Sequence, residues 1–302
     1  VTVTTLPELL INDLSQAYEF STVADYQSSI IVFPLNKTIY LRDRVADFRV
    51  ITGIGTGNNI DRVASSTVDQ SLVIIQGDER LTVQQLGAVL DGTFDCKAII
   101  DRSLIAFGYA HLKGGTNATT CAVSGDDIII ETGNQLTIGP QVTLKRTSAL
   151  SASVNPVVWI KGSNCLLMGA GLGSSKIRTE NKSPGGVVKL GQRNMTISEG
   201  VVQKCLVEGF TIHGNTVYGQ TSGAPDVCLN MPSPQLGGEF NYFHTIRNLG
   251  VEDANVGIWM QGWANGHFIS NIYGVHLGNA SIAPAVFFWM QGSLDNMVTD
   301  VF

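Results

Sequence analysis

The chain has 302 residues, a formal net charge of −6, 15% charged and 44% hydrophobic residues, and 33 glycines. That balance excludes a disordered chain. It also argues against nucleic acid as the main partner, since no basic stripe is present to neutralise phosphates, and against membrane insertion, since no apolar run nears the ~20 residues that span a bilayer.

Residues 1–20 read as a linker, and 21–78 as a small α+β module. A helix is expected over Ser21–Gln27 with Ser21 as its N-cap, followed by strands at Ile30–Phe33, Lys37–Leu41, Asp47–Ile51 and Leu72–Gln76. Residues 79–115 form an entry segment. Within it, Ile99, Ile100, Leu104 and Phe107 recur at helical spacing behind Asp95, the expected N-cap. An amphipathic helix placed just before a stack of strands suits a cap over the exposed end of that stack. Short strands follow at Asp127–Glu131, Gln135–Ile138 and Val142–Arg146, separated by Gly133-Asn134 and Gly139-Pro140.

From residue 157 onward one motif keeps returning. Val-Val-Trp-Ile-Lys-Gly at 157–162 is followed by Val-Val-Lys-Leu-Gly (187–191), Val-Cys-Leu-Asn-Met (227–231), Gly-Ile-Trp-Met-Gln-Gly (257–262) and Phe-Phe-Trp-Met-Gln-Gly (287–292). Aligned on Trp159, Val188, Leu229, Trp259 and Trp289, the steps are 29, 41, 30 and 30 residues. A second motif, in phase with the first, ends on Gly169, Gly209, Asn248, Asn271 and Asp300, residue types that tolerate positive φ at a corner. Two short strands and a fixed corner per ~30 residues describe one coil of a parallel β-helix, with coils stacked about 4.8 Å apart. The fold class expected is therefore mainly β, a right-handed single-stranded parallel β-helix over 116–302 behind the α+β module. A stack that reaches Phe302 without a cap is expected to continue. Cys165 and Cys205 fall at equivalent repeat positions and are expected to stack as buried thiols, with no disulfide framework.

The stretch Gly87-Ala88-Val89-Leu90-Asp91-Gly92-Thr93-Phe94-Asp95-Cys96-Lys97-Ala98-Ile99 resembles the entry motif of the pectate-lyase-like β-helices of phage tailspikes. It departs from the usual pattern at Leu90, Cys96 and Lys97. Leu136–Leu144 and the Gly-rich corner Gly169–Ile177 are similar to the family's first coils, and Ser21–Gln76 is similar to the small module that precedes them. The resemblance implies a homotrimer in the virion tail, extracellular, that binds a bacterial surface polysaccharide and cleaves it. It also implies contact with other tail proteins through the N-terminal region.

A glycosidase needs two carboxyl groups, about 5–5.5 Å apart for retention or about 6.5–9.5 Å for inversion. The acids in the repeats are Glu208, Asp226, Glu239, Glu252, Asp253 and Asp295. Glu252-Asp253 is the densest acidic spot, and Asp226 and Glu239 flank the long insertion 214–244; these four are the catalytic candidates. Trp259, Trp263 and Tyr242 are candidates for stacking on sugar, Trp259 because Ile258 and Met260 are the better core residues and alternation then turns Trp259 outward. His244 and Arg247 are further substrate-binding candidates, the pair a uronate-specific lyase would want. His213, His244, His267 and His276 lack zinc-ligand spacing, and no metal or cofactor is expected. Gly169–Gly173 reads as a tight corner and not as a nucleotide loop, because a strand follows it. A non-catalytic receptor-binding or structural tail protein on the same fold is the alternative, and a secreted lyase a third reading.

Overall fold

The computed structural model describes residues 18–53, 57–77, 79–125, 127–150, 155–181, 183–195, 200–214, 226–234, 241–262, 264–275, 277, 286–291 and 295–302. The chain divides into two compact units, 1–79 and 80–302. None of its described helices is long and apolar enough to cross a membrane.

In the first unit a mixed sheet runs in the order Tyr18–Phe20, Thr38–Leu41, Ala46–Thr52, Gln70–Ile74, Arg62–Ala64. Its core holds Tyr26, Phe33, Ile39, Leu41, Phe48, Val50, Val63 and Leu72. The helix spans Val23–Ser28, and its N-cap is Thr22 and not Ser21. Thr22 Oγ1 accepts from Asp25 N–H at 3.1 Å while Asp25 accepts from Thr22 N–H at 3.0 Å, a reciprocal capping box. The expected strand at 30–33 does not form. Phe33 N–H donates to Gln70 Oε1 at 2.9 Å and Phe33 C=O accepts from Gln70 Nε2, so a side chain takes the place of a neighbouring strand.

In the second unit the helix is Lys97–Phe107. Its N-cap is Cys96, one residue later than expected, but Asp95 still accepts the Lys97 N–H at 3.0 Å, together with the Ser124 N–H at 3.0 Å. Gly108 ends the helix at φ 74. Ile99, Ile100, Ser103 and Leu104 form its buried face, against strands Tyr109–Leu112 and Ile128–Ile130. Before it, Asp91 Oδ1 collects the Thr93 and Phe94 N–H groups at 2.8 and 2.9 Å, fixing the entry turn and holding this carboxyl below its ordinary range.

The rest of the unit is a stack of parallel strands. One sheet runs Asp91–Asp95, Thr119–Val123, Val142–Arg146, Lys176–Thr179, Leu206–His213, Thr245–Glu252, Phe268–Val275, Met297–Val301. A shorter run, Tyr109–Leu112, Gln135–Ile138, Leu166–Gly169, joins it at Leu206–His213. A separate sheet runs Ile128–Ile130, Val158–Ile160, Val188–Leu190, Val227–Ser233, Val256–Gly262, Val286–Gln291. The chain visits these sheets alternately, one rung further each time.

The register makes continuous columns. Inward, Leu136, Leu167, Val207, Ile246 and Ile269 succeed one another on adjacent rungs, all fully buried. Val158, Val188, Leu229 and Ile258 do the same in the other sheet. Each such side chain contributes roughly 1.5–3 kcal/mol by leaving water, and a single rung has no second layer to bury it. Corners recur with the columns: Gly209, Asn248, Asn271 and Asp300 all have positive φ, and Asn271 Nδ2 donates to Asn248 Oδ1 at 2.6 Å. Gly169 does not share that positive φ; Gly171 and Gly173 carry the turn before Lys176–Thr179. All five cysteines are unpaired and buried, with Cys165 and Cys205 on adjacent rungs.

The Trp motif required one correction. Trp159 lies opposite Lys189 and not Val188, and Asn230, not Leu229, precedes Trp259 and Trp289 in the same column. Val188 and Leu229 belong to the inward column that starts at Val158.

Candidate functional site

Strand alternation gives the second unit its outward columns. On one sheet the outward positions Lys145, Arg178, His213, Glu252 and Val275 stand on five consecutive rungs. Thr143, Lys176, Thr211, Gly250 and Tyr273 form the column two residues upstream.

At the centre of this face His213 Nε2 sits 2.7 Å from Asp253 Oδ2. Its other nitrogen, Nδ1, sits 2.6 Å from the Gly214 carbonyl oxygen. A carbonyl can only accept, so Nδ1 carries a hydrogen. At 2.7 Å from a carboxylate oxygen Nε2 also needs a proton between the two atoms. The contact joins side chains that are 19% and 30% exposed. Asp253 is placed by the backbone: its φ is 49°, its N–H donates to Val275 C=O at 3.2 Å, and its own peptide packs under Gly214. Glu252, directly across from His213 on the next rung, is half-buried.

The other expected site residues divide. Asp226 is buried, and its Oδ1 accepts the Ser183 N–H at 2.7 Å. His244 is likewise corrected: it is buried, its Nδ1 accepts the Cys205 N–H at 3.2 Å, and burial lowers its pKa well below the ordinary histidine value. Arg247 is exposed and ion-paired with Glu208 on the preceding rung, not with His244. Tyr242 is half-buried and stacks on Phe243 at 5.6 Å. Glu239, Trp263 and His276 lie outside the described residues.

Trp259 points outward between the fully buried Ile258 and Met260 and stacks on Trp289, with centroids 4.6 Å apart and rings 9° from parallel. Trp159 is in the same column but is 1% exposed. Lys161, Lys189 and Arg193 cover its ring at 5.5, 5.8 and 4.9 Å, and its Nε1 donates to Gly191 C=O at 2.8 Å. In this column, Trp259 and Trp289 are left as an aromatic surface.

His213 is not among the site residues expected from the sequence. The signal was available: the corners Gly209 and Asn248 align, so His213 and Glu252, each four residues further on, must face each other.

No family profile and no curated protein matches the chain. Solved structures do. A Parabacteroides merdae protein named as a candidate glycosyl hydrolase is 12% identical, with 73% of this chain and 94% of that one covered and a TM-score of 0.50. Pantoea stewartii WceF, a glycan biofilm modifying enzyme with a bacteriophage tailspike-like parallel β-helix fold, is 14% identical at a TM-score of 0.45, covering 95% and 49%. The enzymatically active domain of bacteriophage CBA120 tailspike protein 4 is 14% identical at 0.38, covering 97% and 54%. The chain spans about half the length of the last two. At these identities the likeness is one of fold: a mainly β chain with long parallel sheets.

Proposed function

We propose that the second unit is a right-handed parallel β-helix that binds a bacterial surface polysaccharide along its outward columns and cleaves it at His213, Glu252 and Asp253. The observation that carries this reading is the 2.7 Å contact between His213 Nε2 and Asp253 Oδ2, partly exposed, with a second carboxylate, Glu252, beside Asp253 and across from His213. Hydrolysing a glycosidic bond needs a proton delivered to the leaving oxygen and a second carboxylate that takes a proton from the water whose oxygen bonds to the sugar as the glycosidic bond breaks. Asp253 with His213 supplies the first and Glu252 the second. Regularly spaced rungs suit a repeating polymer, and Trp259 with Trp289 offers a ring face to the apolar side of a sugar.

In this reading the protein is a tailspike of a phage virion, working as a homotrimer and joined to other tail proteins through its N-terminal region. The non-catalytic receptor-binding protein remains the second reading, because the same columns could hold a glycan without cutting it. Incubation with purified capsular and O-antigen polysaccharides, followed by size-exclusion chromatography, separates the two. The proposal expects shortened chains from at least one polysaccharide. Retention without shortening would support the receptor reading, and neither retention nor shortening would end both.

A further inference from the structure

We infer that the polymer taken by this face is anionic, and that Lys176 and Arg178 hold a carboxylate of the sugar next to the one being cleaved. This rests on the polysaccharide reading above and narrows its substrate class.

Four polar outward residues, Lys145, Arg178, His213 and Glu252, follow one another on consecutive rungs. Lys176 lies two residues before Arg178 on the same strand, and so on the same face. The acids nearest Lys176 and Arg178 are engaged elsewhere, and Glu252, two rungs from Arg178, is assigned to the reacting bond. Glu180 pairs with Lys145 at 2.5 Å and accepts the Ser148 N–H at 3.0 Å. Asp253 pairs with His213. That leaves Lys176 and Arg178 without a carboxylate partner among the described residues. Both are half-buried and not fully solvated. Arg178 Nε is buried and makes no hydrogen bond. The terminal N–H groups of this guanidinium are not buried and have no acceptor among the described residues, and a planar oxyanion can meet them in a two-pronged geometry.

Position fits the chemistry. Arg178 stands one rung, about 4.8 Å, from His213 and two rungs from Glu252. An acid group held there belongs to a sugar neighbouring the reacting bond, not to the reacting sugar itself. The net charge of −6 sharpens the argument. The chain as a whole repels a polyanion, so an anionic polymer is drawn to the place where unpaired cations gather. A neutral polymer would leave both cations unused.

The test uses the whole chain and a bacterial capsular polysaccharide carrying uronic acids, in its native form and after chemical reduction of its carboxyl groups. Neutral O-antigen polysaccharides complete the panel, and binding is read by biolayer interferometry. The expected result is at least tenfold weaker binding to the reduced form. The K176A/R178A double variant should lose about tenfold on the native form and nothing on the reduced one, with a shallower dependence on salt. The K176R/R178K exchange keeps both charges and should bind the native form more tightly than the double alanine variant does, which separates lost charge from a lost fold. Equal binding of native and reduced polymer, or a double variant that folds and binds the native form as the parent does, overturns the inference and leaves the polysaccharide reading standing. Retention of neutral polysaccharides alone overturns it as well. Failure to retain any polysaccharide removes the polysaccharide reading, and the inference with it.

Discussion

The imidazole of His244 stacks on that of His267, one rung further on, with ring centroids 4.9 Å apart and planes 14° from parallel. Each ring serves the backbone of the preceding rung: Cys205 N–H donates to His244 Nδ1 at 3.2 Å, and His244 N–H donates to His267 Nδ1 at 3.2 Å. Both Nδ1 atoms are acceptors, so both rings are neutral in the fold. Desolvation pushes His267 down to about 4, and His244 falls well below the usual histidine value through burial and, second, through its neighbour.

That geometry sets a pH dependence. Unfolded histidines take up a proton near pH 6.5, whereas His267 in the fold resists until about pH 4. Between those values the unfolded chain binds more protons, so stability falls as pH falls. The change is roughly 3 kcal/mol for His267 alone; above pH 6.5 both states are neutral there and the profile is flat. Chemical denaturation at pH 7.5, 6, 5 and 4 checks it. Replacing His267 with Asn, the residue that already occupies this position at Asn296 and accepts the His267 N–H at 3.0 Å, should make the slope shallower. A profile with the same stability at pH 4 and 7 would contradict the buried neutral pair.

Close stacking of rungs gives a second prediction. A Cβ added at Gly162 would lie 1.9 Å from the backbone nitrogen of Thr132 on the preceding rung, where nothing can yield cheaply. Gly162→Ala is expected to cost more than about 4 kcal/mol, or to abolish soluble protein. Gly115→Ala meets no atom within 4 Å and is expected to stay within about 0.5 kcal/mol of the parent. Urea unfolding of the two variants side by side makes the comparison, and similar losses would mean that the rungs are not packed as described.

The aromatic column gives a third. Trp259→Ala removes the ring stacked on Trp289 and is expected to cost about 0.5–1.5 kcal/mol of stability beyond the area lost. It should also weaken polysaccharide binding about tenfold, while Trp259→Phe keeps a ring face and retains most of it. Trp159→Ala is expected to destabilise the fold more, since that ring is buried under Lys161, Lys189 and Arg193, and to leave binding by the folded fraction unchanged. Isothermal titration with the bound polysaccharide distinguishes them; an unaffected Trp259→Ala would remove this residue from the binding face.

Much of the stack was legible because its signals are local. Corner residues that tolerate positive φ were visible at Gly209, Asn248, Asn271 and Asp300, and the ~30-residue step gave the rung spacing. The register failed at two rungs because strands alternate every residue. Matching Trp159 to the apolar Val188 joined an outward column to an inward one, and a slip of one residue exchanges faces. Outward positions need not be alike, so Trp159, Lys189, Asn230 and Trp259 share a column that no hydrophobicity pattern reveals. The acids were legible as Glu252-Asp253, and the aligned corners place His213 opposite Glu252, but its contact with Asp253 was not legible, because Asp253 leaves the strand at φ 49°. Asp226 and His244 misled for the opposite reason. A polar residue in a chain with few charges looks functional until its burial is known, and both serve backbone N–H groups of neighbouring segments.

The central claim is that Asp253, with His213, carries the proton for cleavage. The direct measurement is the initial rate of oligosaccharide release from the cleaved polysaccharide by the parent, Asp253→Asn and His213→Ala chains, alongside their binding to the same polymer. The account predicts that Asp253→Asn loses about 10²–10⁴-fold in rate, that His213→Ala loses less, and that both still bind. An Asp253→Asn chain that binds and cleaves at the parental rate would contradict it.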